Sequence, residues 1–377
     1  MKLPVLVALI ASTAIVVGTA QQRPADALKS VDHYVRVTST VPSIAGQIAN
    51  IYVRERVLAG AASPAADRVV LVVHGAGTPA EVAFDPSAPG YSWMAYLAAG
   101  GFDVFSMDTT GYGRSMRPAA MNDPCNLSPE QQKLFVPALM AAPCPAPYPH
   151  QLTNLGSDWN DIDAVVNYIR GLRKVEQVSL VAWSLGGPRA GGYAAQHPEK
   201  VRSMVLLAPA YNRNAEAAAP ALPRPGVAFN TQSRAEFVAN WDRQVGCTDQ
   251  VEPSVRDAVW SDMIASDPVG ATWGTGVRRA PSTTTWGWNA AMAAATKIPA
   301  LIIAGIHDRQ VTPERVRPLY DDLGSSQKAL IDLGCSSHNA MWEKNRLLMF
   351  KASLDWLTKG AVGDARTGII RMGYAAP

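Results

Sequence analysis

Ser184 closes the apolar run Val178–Trp183 and is followed by Leu185, the pair Gly186-Gly187 and a stretch of helical character from Pro188 to Ala195. Strand, serine, small residues and helix in that order form the pattern of a nucleophile elbow. A serine in so sharp a turn has a strained backbone, and its neighbours two residues away must be small or strand and helix collide. Ala182 and Gly186 meet that need; Ala182 takes the place of a glycine at the cost of one methyl group. The helix N-terminus then points at the hydroxyl, and the Leu185 amide is placed to donate to an oxyanion. The same short pattern also occurs in buried structural turns, so the reading depends on which other groups the chain brings to the serine.

Four further groups stand at the ends of apolar runs. His74-Gly75-Ala76-Gly77 follows Arg68–Val73, and the turn from Asp108 to Ser115 follows Phe102–Met107. Gly305-Ile306-His307-Asp308 follows Ala300–Ala304, and Ser336-Ser337-His338 follows Ala329–Leu333, which reads as the last strand. These runs, with Val178–Trp183 and Val201–Leu207, are short and mostly continuous, the mark of strands buried on both faces. Helices are expected between them: Tyr91–Ala99 stopped by Gly100-Gly101, Asp158–Leu172 capped by Ser157, Glu314–Leu323, and Asn345–Thr358 ending before Gly360. Tyr34–Thr38 and Gly46–Glu55 read as a strand pair ahead of them, after a disordered polar lead-in from Gln21 to Lys29. Strands alternating with helices imply an α/β fold whose mostly parallel, doubly wound sheet is covered on both faces.

On these residues the chain resembles the α/β-hydrolases over roughly residues 30–360, in the branch with a cap inserted after the sixth strand. The resemblance implies a discontinuous core of residues 21–210 and 297–377 with residues 211–296 as the cap. The triad order of that superfamily is serine, acid, histidine, which Ser184, Asp308 and His338 match. It implies that His338 takes the Ser184 proton and that Asp308 holds the imidazole in one tautomer. The amides of Leu185 and Ala76 would form the oxyanion hole, with Gly75 or Gly77 as alternatives to Ala76. His307, beside Asp308, is the rival base. His74 reads as a brace for its own loop, Asp108 as the anchor of its glycine turn, and Asp332 as a strand residue. A serine at the elbow excludes the dehalogenases and epoxide hydrolases of the superfamily, which need a carboxylate there. Ester, thioester, lactone or amide hydrolysis remains, with no metal and no organic cofactor required. A secreted aminopeptidase, which would need a cap carboxylate for the substrate amine, and a non-catalytic binding protein of the same fold stand as alternatives.

Residues 211–296 break the rhythm with Pro220, Pro223 and Pro225 and then carry Trp241, Trp260, Trp273, Trp286 and Trp288. The tryptophans suggest a small-molecule ester with an apolar or aromatic group, with Trp183, Trp286 and Trp288 as candidate contacts; the plainer reading is that they fill the core of the cap. Arg278 and Arg279 read either as a site for a substrate carboxylate or as a surface salt bridge. A net charge of +3 without a basic tract argues against nucleic acid as a partner. Lys2, the apolar run Leu3–Val17 and the small residues Gly18-Thr19-Ala20 read as a signal peptide, residues 1–20, too short for a stable membrane span. A secreted or periplasmic protein is expected, and four cysteines fit such a compartment. Cys125 and Cys144 flank one proline-rich insertion and are expected to pair, which leaves Cys247 with Cys335; none has the C-x-x-C spacing of a metal site.

Overall fold

The computed structural model describes residues 28–60, 65–274 and 276–374, so the signal-peptide reading of residues 1–20 lies outside the described residues. The strands are β1 (Leu28–Thr38), β2 (Ile48–Leu58), β3 (Val69–Val73), β4 (Asp103–Met107), β5 (Val178–Trp183), β6 (Val201–Leu207), β7 (Asn230–Gln232), β8 (Val277–Arg279), β9 (Ala300–Gly305), β10 (Lys328–Leu333) and β11 (Gly368–Met372). Nine of them form one sheet in the order β1-β2-β4-β3-β5-β6-β9-β10-β11, while β7 and β8 pair separately. β1 with β2 and β2 with β4 are antiparallel; from β4 to β11 every neighbour is parallel.

The apolar runs are explained by two cores, one on each face of the sheet. In β3, Val69, Leu71 and Val73 point into one core and Val70 and Val72 into the other; in β9, Ala300, Ile302 and Ala304 face the first core, and Leu301 and Ile303 the second. Side chains alternate along a strand, so only a strand covered on both sides has no polar position. The longer helices are α1 (Trp93–Ala99), α2 (Leu155–Arg173), α3 (Gly186–Gln196), α4 (Arg234–Asp242), α5 (Pro253–Ser266), α6 (Pro313–Asp322) and α7 (Arg346–Lys359). α2, α3 and α6 cover the first core, and α1 and α7 the second.

Three differences from the sequence reading have a physical reason in the packing. β1 already begins at Leu28, where it pairs with Leu58, so the end of the lead-in is ordered by its partner strand. α2 starts at Leu155: Asn154 is its cap, and Ser157 is the reciprocal member of a capping box, each side chain bonding the other's backbone amide. β10 is not the last strand, because β11 adds a parallel edge beside it. β11 is half exposed and lacks the continuous apolar character of a buried strand.

Residues 211–296 carry α4, α5, β7 and β8. Their apolar side chains do not close on themselves: Phe237, Trp241, Val255, Val259 and Met263 join the same buried cluster as Trp183 and Trp342. Two disulfides are present. Cys125–Cys144 lies within the insertion after β4, and Cys247–Cys335 joins the 211–296 segment to the loop after β10, with Cα atoms 5.6 Å apart.

Candidate active site

Parallel strands deliver their loops to one edge of the sheet, and the candidate groups sit on the loops after β3, β5, β9 and β10. Ser184 follows β5 directly and has φ +58°, a left-handed conformation that a serine adopts only when its surroundings hold it there. Its amide donates to Leu207 O at 3.0 Å, and its carbonyl accepts from Gly187 N and Ala210 N, both at 2.8 Å. The need for small neighbours is visible in the packing. A Cβ on Gly186 would lie 2.5 Å from Val73 O and 3.2 Å from the Ala182 methyl, so Ala182 is tolerated because residue 186 has no side chain. A Cβ on Gly75 would lie 2.8 Å from Ser184 Cβ, which puts the loop after β3 directly against the serine.

Asp308 and His338 meet at 2.7 Å, Nδ1 of the histidine against Oδ2 of the aspartate. The other oxygen, Oδ1, accepts from Gln310 N at 2.7 Å and Val311 N at 2.9 Å, which fixes the carboxylate plane. Both residues are buried. Their loops lock together: Ile306 N donates to Leu333 O, His307 N donates to Ser336 O, and a Cβ on Gly305 would collide with Ser337 O. Ser184 and His338 line one cavity of about 210 Å³. Among the described residues no hydrogen bond joins the two side chains directly; such contacts tighten when substrate is bound. His307, the rival base, turns its ring onto Gly246 instead.

Ala76 and Gly77 line the same cavity. His74 is buried, and burial together with the Arg189 charge holds its imidazole well below the usual range, so it is neutral. Its Nδ1 donates to Gly75 O at 2.7 Å, and its Nε2 accepts from Thr109 N at 3.1 Å. Arg189, fully buried on α3, donates through Nη1 to His74 O at 3.0 Å and Gly75 O at 3.1 Å, and through Nε to Asp158 Oδ2 at 2.8 Å. Tyr112 donates its hydroxyl to Ala76 O at 2.7 Å. In a trans peptide the carbonyl and the following amide point in opposite directions. Holding the Gly75 and Ala76 carbonyls therefore turns the Ala76 and Gly77 amides away from Arg189 and Tyr112. Leu185, the other expected donor, precedes the first turn of α3 and lies buried beside the serine.

The remaining assignments separate. Trp183 lines the cavity, but its indole N–H donates to His338 O at 2.8 Å, so it braces the histidine loop. Trp286 and Trp288 do not line it. Trp286 packs edge-on to Trp159, and Trp288 packs against Tyr211 and the helical Gly191. The number of tryptophans signalled apolar bulk without saying which way it faced, and the aromatic lining comes instead from Trp183, Phe237 and Trp342. Ser115, at the end of the turn that starts at Asp108, is buried and occupied: it donates to Asp108 O and accepts from Tyr52 N. Asp108 holds its own turn through Ala80 N and Arg114 N, with burial pushing its carboxyl up to about 6.

Two residues that sequence reasoning missed hold the histidine loop. Gln244, just after α4, accepts from Arg309 N at 3.1 Å and His338 N at 3.4 Å, so one side-chain oxygen spans the acid and histidine loops. Glu343 accepts from the amide and hydroxyl of Ser337 and from the Trp241 indole, and burial raises its pKa. Among the described residues no group of three or more His, Cys, Asp or Glu side chains is gathered as a metal site would require, and no helix is long and apolar enough to cross a membrane.

A family model described as the alpha/beta hydrolase fold matches residues 68–345. A search of curated proteins returned no match. Among solved structures, a thermophilic esterase from Thermogutta terrifontis aligns with TM-score 0.52 at 14% identity over 87% of this chain and 98% of its own. An esterase from Exiguobacterium antarcticum gives 0.51 at 13% over 87% and 100%. The 2-hydroxy-6-oxo-6-phenylhexa-2,4-dienoate hydrolase from Rhodococcus sp. strain RHA1 gives 0.50 at 16% over 88% and 100%. At these identities the likeness is one of fold.

Proposed function

The chain belongs to the alpha/beta hydrolase fold family, and on that premise we propose that it is an exported serine hydrolase that cleaves carboxylic esters, lactones or thioesters through an acyl-enzyme. The observation that carries this reading is the 2.7 Å pair between His338 and Asp308, opening into the cavity that also holds the strained Ser184. Ser184 Oγ attacks the acyl carbon while His338 Nε2 takes its proton, and the Nδ1–H of His338 donates to Asp308, which stabilises the imidazolium. The Leu185 and Ala76 amides receive the tetrahedral oxyanion. The leaving group departs with the proton from His338, and water repeats the cycle on the acyl-serine. Residues 211–296 serve as the cap and close the cavity through Phe237, Asn240 and Arg279. Export is supported by the leader sequence and the two disulfides.

The aminopeptidase alternative loses ground, since among the described residues that line this cavity there is no carboxylate to take a substrate ammonium. The test is labelling with a fluorophosphonate probe followed by peptide mapping, beside turnover of 4-nitrophenyl esters and aminoacyl anilides. Ser184 should carry the label, esters should be the better substrates, and Ser184→Ala should lose both label and turnover while melting near wild type. Labelling elsewhere, or persistent turnover by a clean Ser184→Ala preparation, would remove the serine from its role.

A further inference from the structure

Arg278 and Arg279 are neighbours in sequence with different surroundings. Arg278 is buried against Asp267, with Nη2 to Oδ1 at 2.7 Å and Nε to Oδ2 at 3.1 Å. Arg279 has no carboxylate at salt-bridge distance among the described residues. Its Nε donates to Asn230 Oδ1 at 2.6 Å and its Nη1 to Gln232 Oε1 at 3.1 Å, both neutral side-chain amides. Among the described residues its Nη2 makes no hydrogen bond. Glu236, the acid that shares the adjoining groove, uses Oε2 to accept from Ser233 N and Oγ at the start of α4.

The position of this cation matters as much as its lack of an ion pair among the described residues; the nearby Glu236 charge acts on it from beyond salt-bridge distance. Arg279 lines the cavity of Ser184 and His338 and also the wider groove of about 740 Å³ outside it. Gln232, Asn240 and Gln310 are likewise shared by both, so the passage between them is polar. Nη1 lies 3.2 Å from where a Cβ on Gly77 would stand, on the loop after β3. An arginine remains charged when buried, and its planar fork of donors matches a carboxylate. A partly desolvated guanidinium held by two neutral amides at the neck of a cavity is a ready receptor for an anion.

We propose that Arg279 recognises a carboxylate on the substrate, so that the preferred ester or lactone is anionic and carries that group a few bonds from the scissile carbonyl. The aromatic floor of Trp183, Phe237 and Trp342 takes the intervening apolar part. This inference rests on the serine-hydrolase reading of the same cavity.

The experiment compares kcat/KM within two matched pairs: 4-nitrophenyl hydrogen succinate against 4-nitrophenyl butyrate, with the charge on the acyl side, and 4-acetoxybenzoate against phenyl acetate, with the charge on the leaving side. The wild type should prefer the anionic member of at least one pair. Arg279→Met should lower that preference about 10- to 100-fold, mainly through KM, and added salt should erode it in the wild type. Arg279→Lys, which keeps the charge but loses the fork, should fall between the two and serves if the methionine variant folds poorly. The same preference in wild type and variants, or an equal loss of kcat on both members of a pair, would overturn the proposal, the latter because it would assign Arg279 to the oxyanion. Failure of the wild-type serine to react with a fluorophosphonate would instead overturn the underlying reaction.

Discussion

Replacing Arg189 by methionine separates two effects of one side chain. Arg189 and its partner Asp158 are fully buried, and among the described residues the Asp158 carboxylate would keep only the Ser282 hydroxyl, at 2.8 Å. Removing one member of a buried pair typically costs about 3–5 kcal/mol, because the other charge is left uncompensated. For a chain of this size that is a drop of about 4–7 °C in melting temperature. The second effect is catalytic. Arg189 also holds His74 O and Gly75 O, and with them the peptide plane that aims the Ala76 amide. If that amide receives the oxyanion, loosening it should cost most of one donor, about 3 kcal/mol or a 100-fold loss in kcat. The double variant Arg189→Met with Asp158→Leu removes the stranded charge but not the loss of aim. Calorimetry and steady-state kinetics should therefore show Tm recovering in the double variant while kcat stays low. If kcat recovers with Tm, or never falls in the single variant, Arg189 is only a structural ion and the argument from the peptide plane is refuted.

Asp308→Asn should lower kcat by about 10⁴, because the amide favours the wrong histidine tautomer, whereas His307→Ala should change kcat by less than about tenfold; ester kinetics on the two proteins would expose a reversed assignment. Asp161 on α2 is buried and its carboxyl is pushed up to about 7, with Thr110 N donating to it. A folded-state pKa above the unfolded one favours folding fully below about pH 4 and loses that contribution as the pH rises through 7. Asp161→Asn removes the loss, so melts at pH 8 should show it stabilised relative to wild type, by up to about 4 kcal/mol, with the advantage shrinking at pH 5. An advantage independent of pH would mean that Asp161 is not the group titrating.

The strands that carry the candidate site were legible because burial on both faces leaves few polar positions to blur the pattern: β3, β5 and β9 read directly from runs such as Arg68–Val73 and Ala300–Ala304. β11 was not, since half of its residues face solvent and it needs only one neighbour. The elbow was legible because its demands are local, a small residue on either side of Ser184. Its supports were not, because they act across the chain. Nothing near Gln244 shows that its oxygen will meet amides at positions 309 and 338, and nothing near Arg189 shows that it will meet the carbonyls of His74 and Gly75. Arg278 and Arg279 are the sharpest case: side by side on β8, they diverge through Asp267, Asn230 and Gln232, of which only the fold decides the positions.

The bond between Cys247 and Cys335 sorts the residues around the cavity into two sets along the chain. With a sequence separation of 88 it closes a covalent ring that includes Arg279 and Asp308, and His338 stands just beyond the knot. Ser184, Leu185 and Ala76 belong to chain outside that ring. Such a ring restricts the unfolded chain by roughly 4–5 kcal/mol in the loop-entropy picture, yet it does not enclose the loops after β3 and β5. Asp308 and Arg279 lie within the ring and His338 three residues past Cys335, while Ser184 and the proposed backbone donors meet them through sheet packing and through Trp183 reaching over to His338 O. Under the proposed assignment, the alignment of serine with histidine therefore rests on packing and not on the ring.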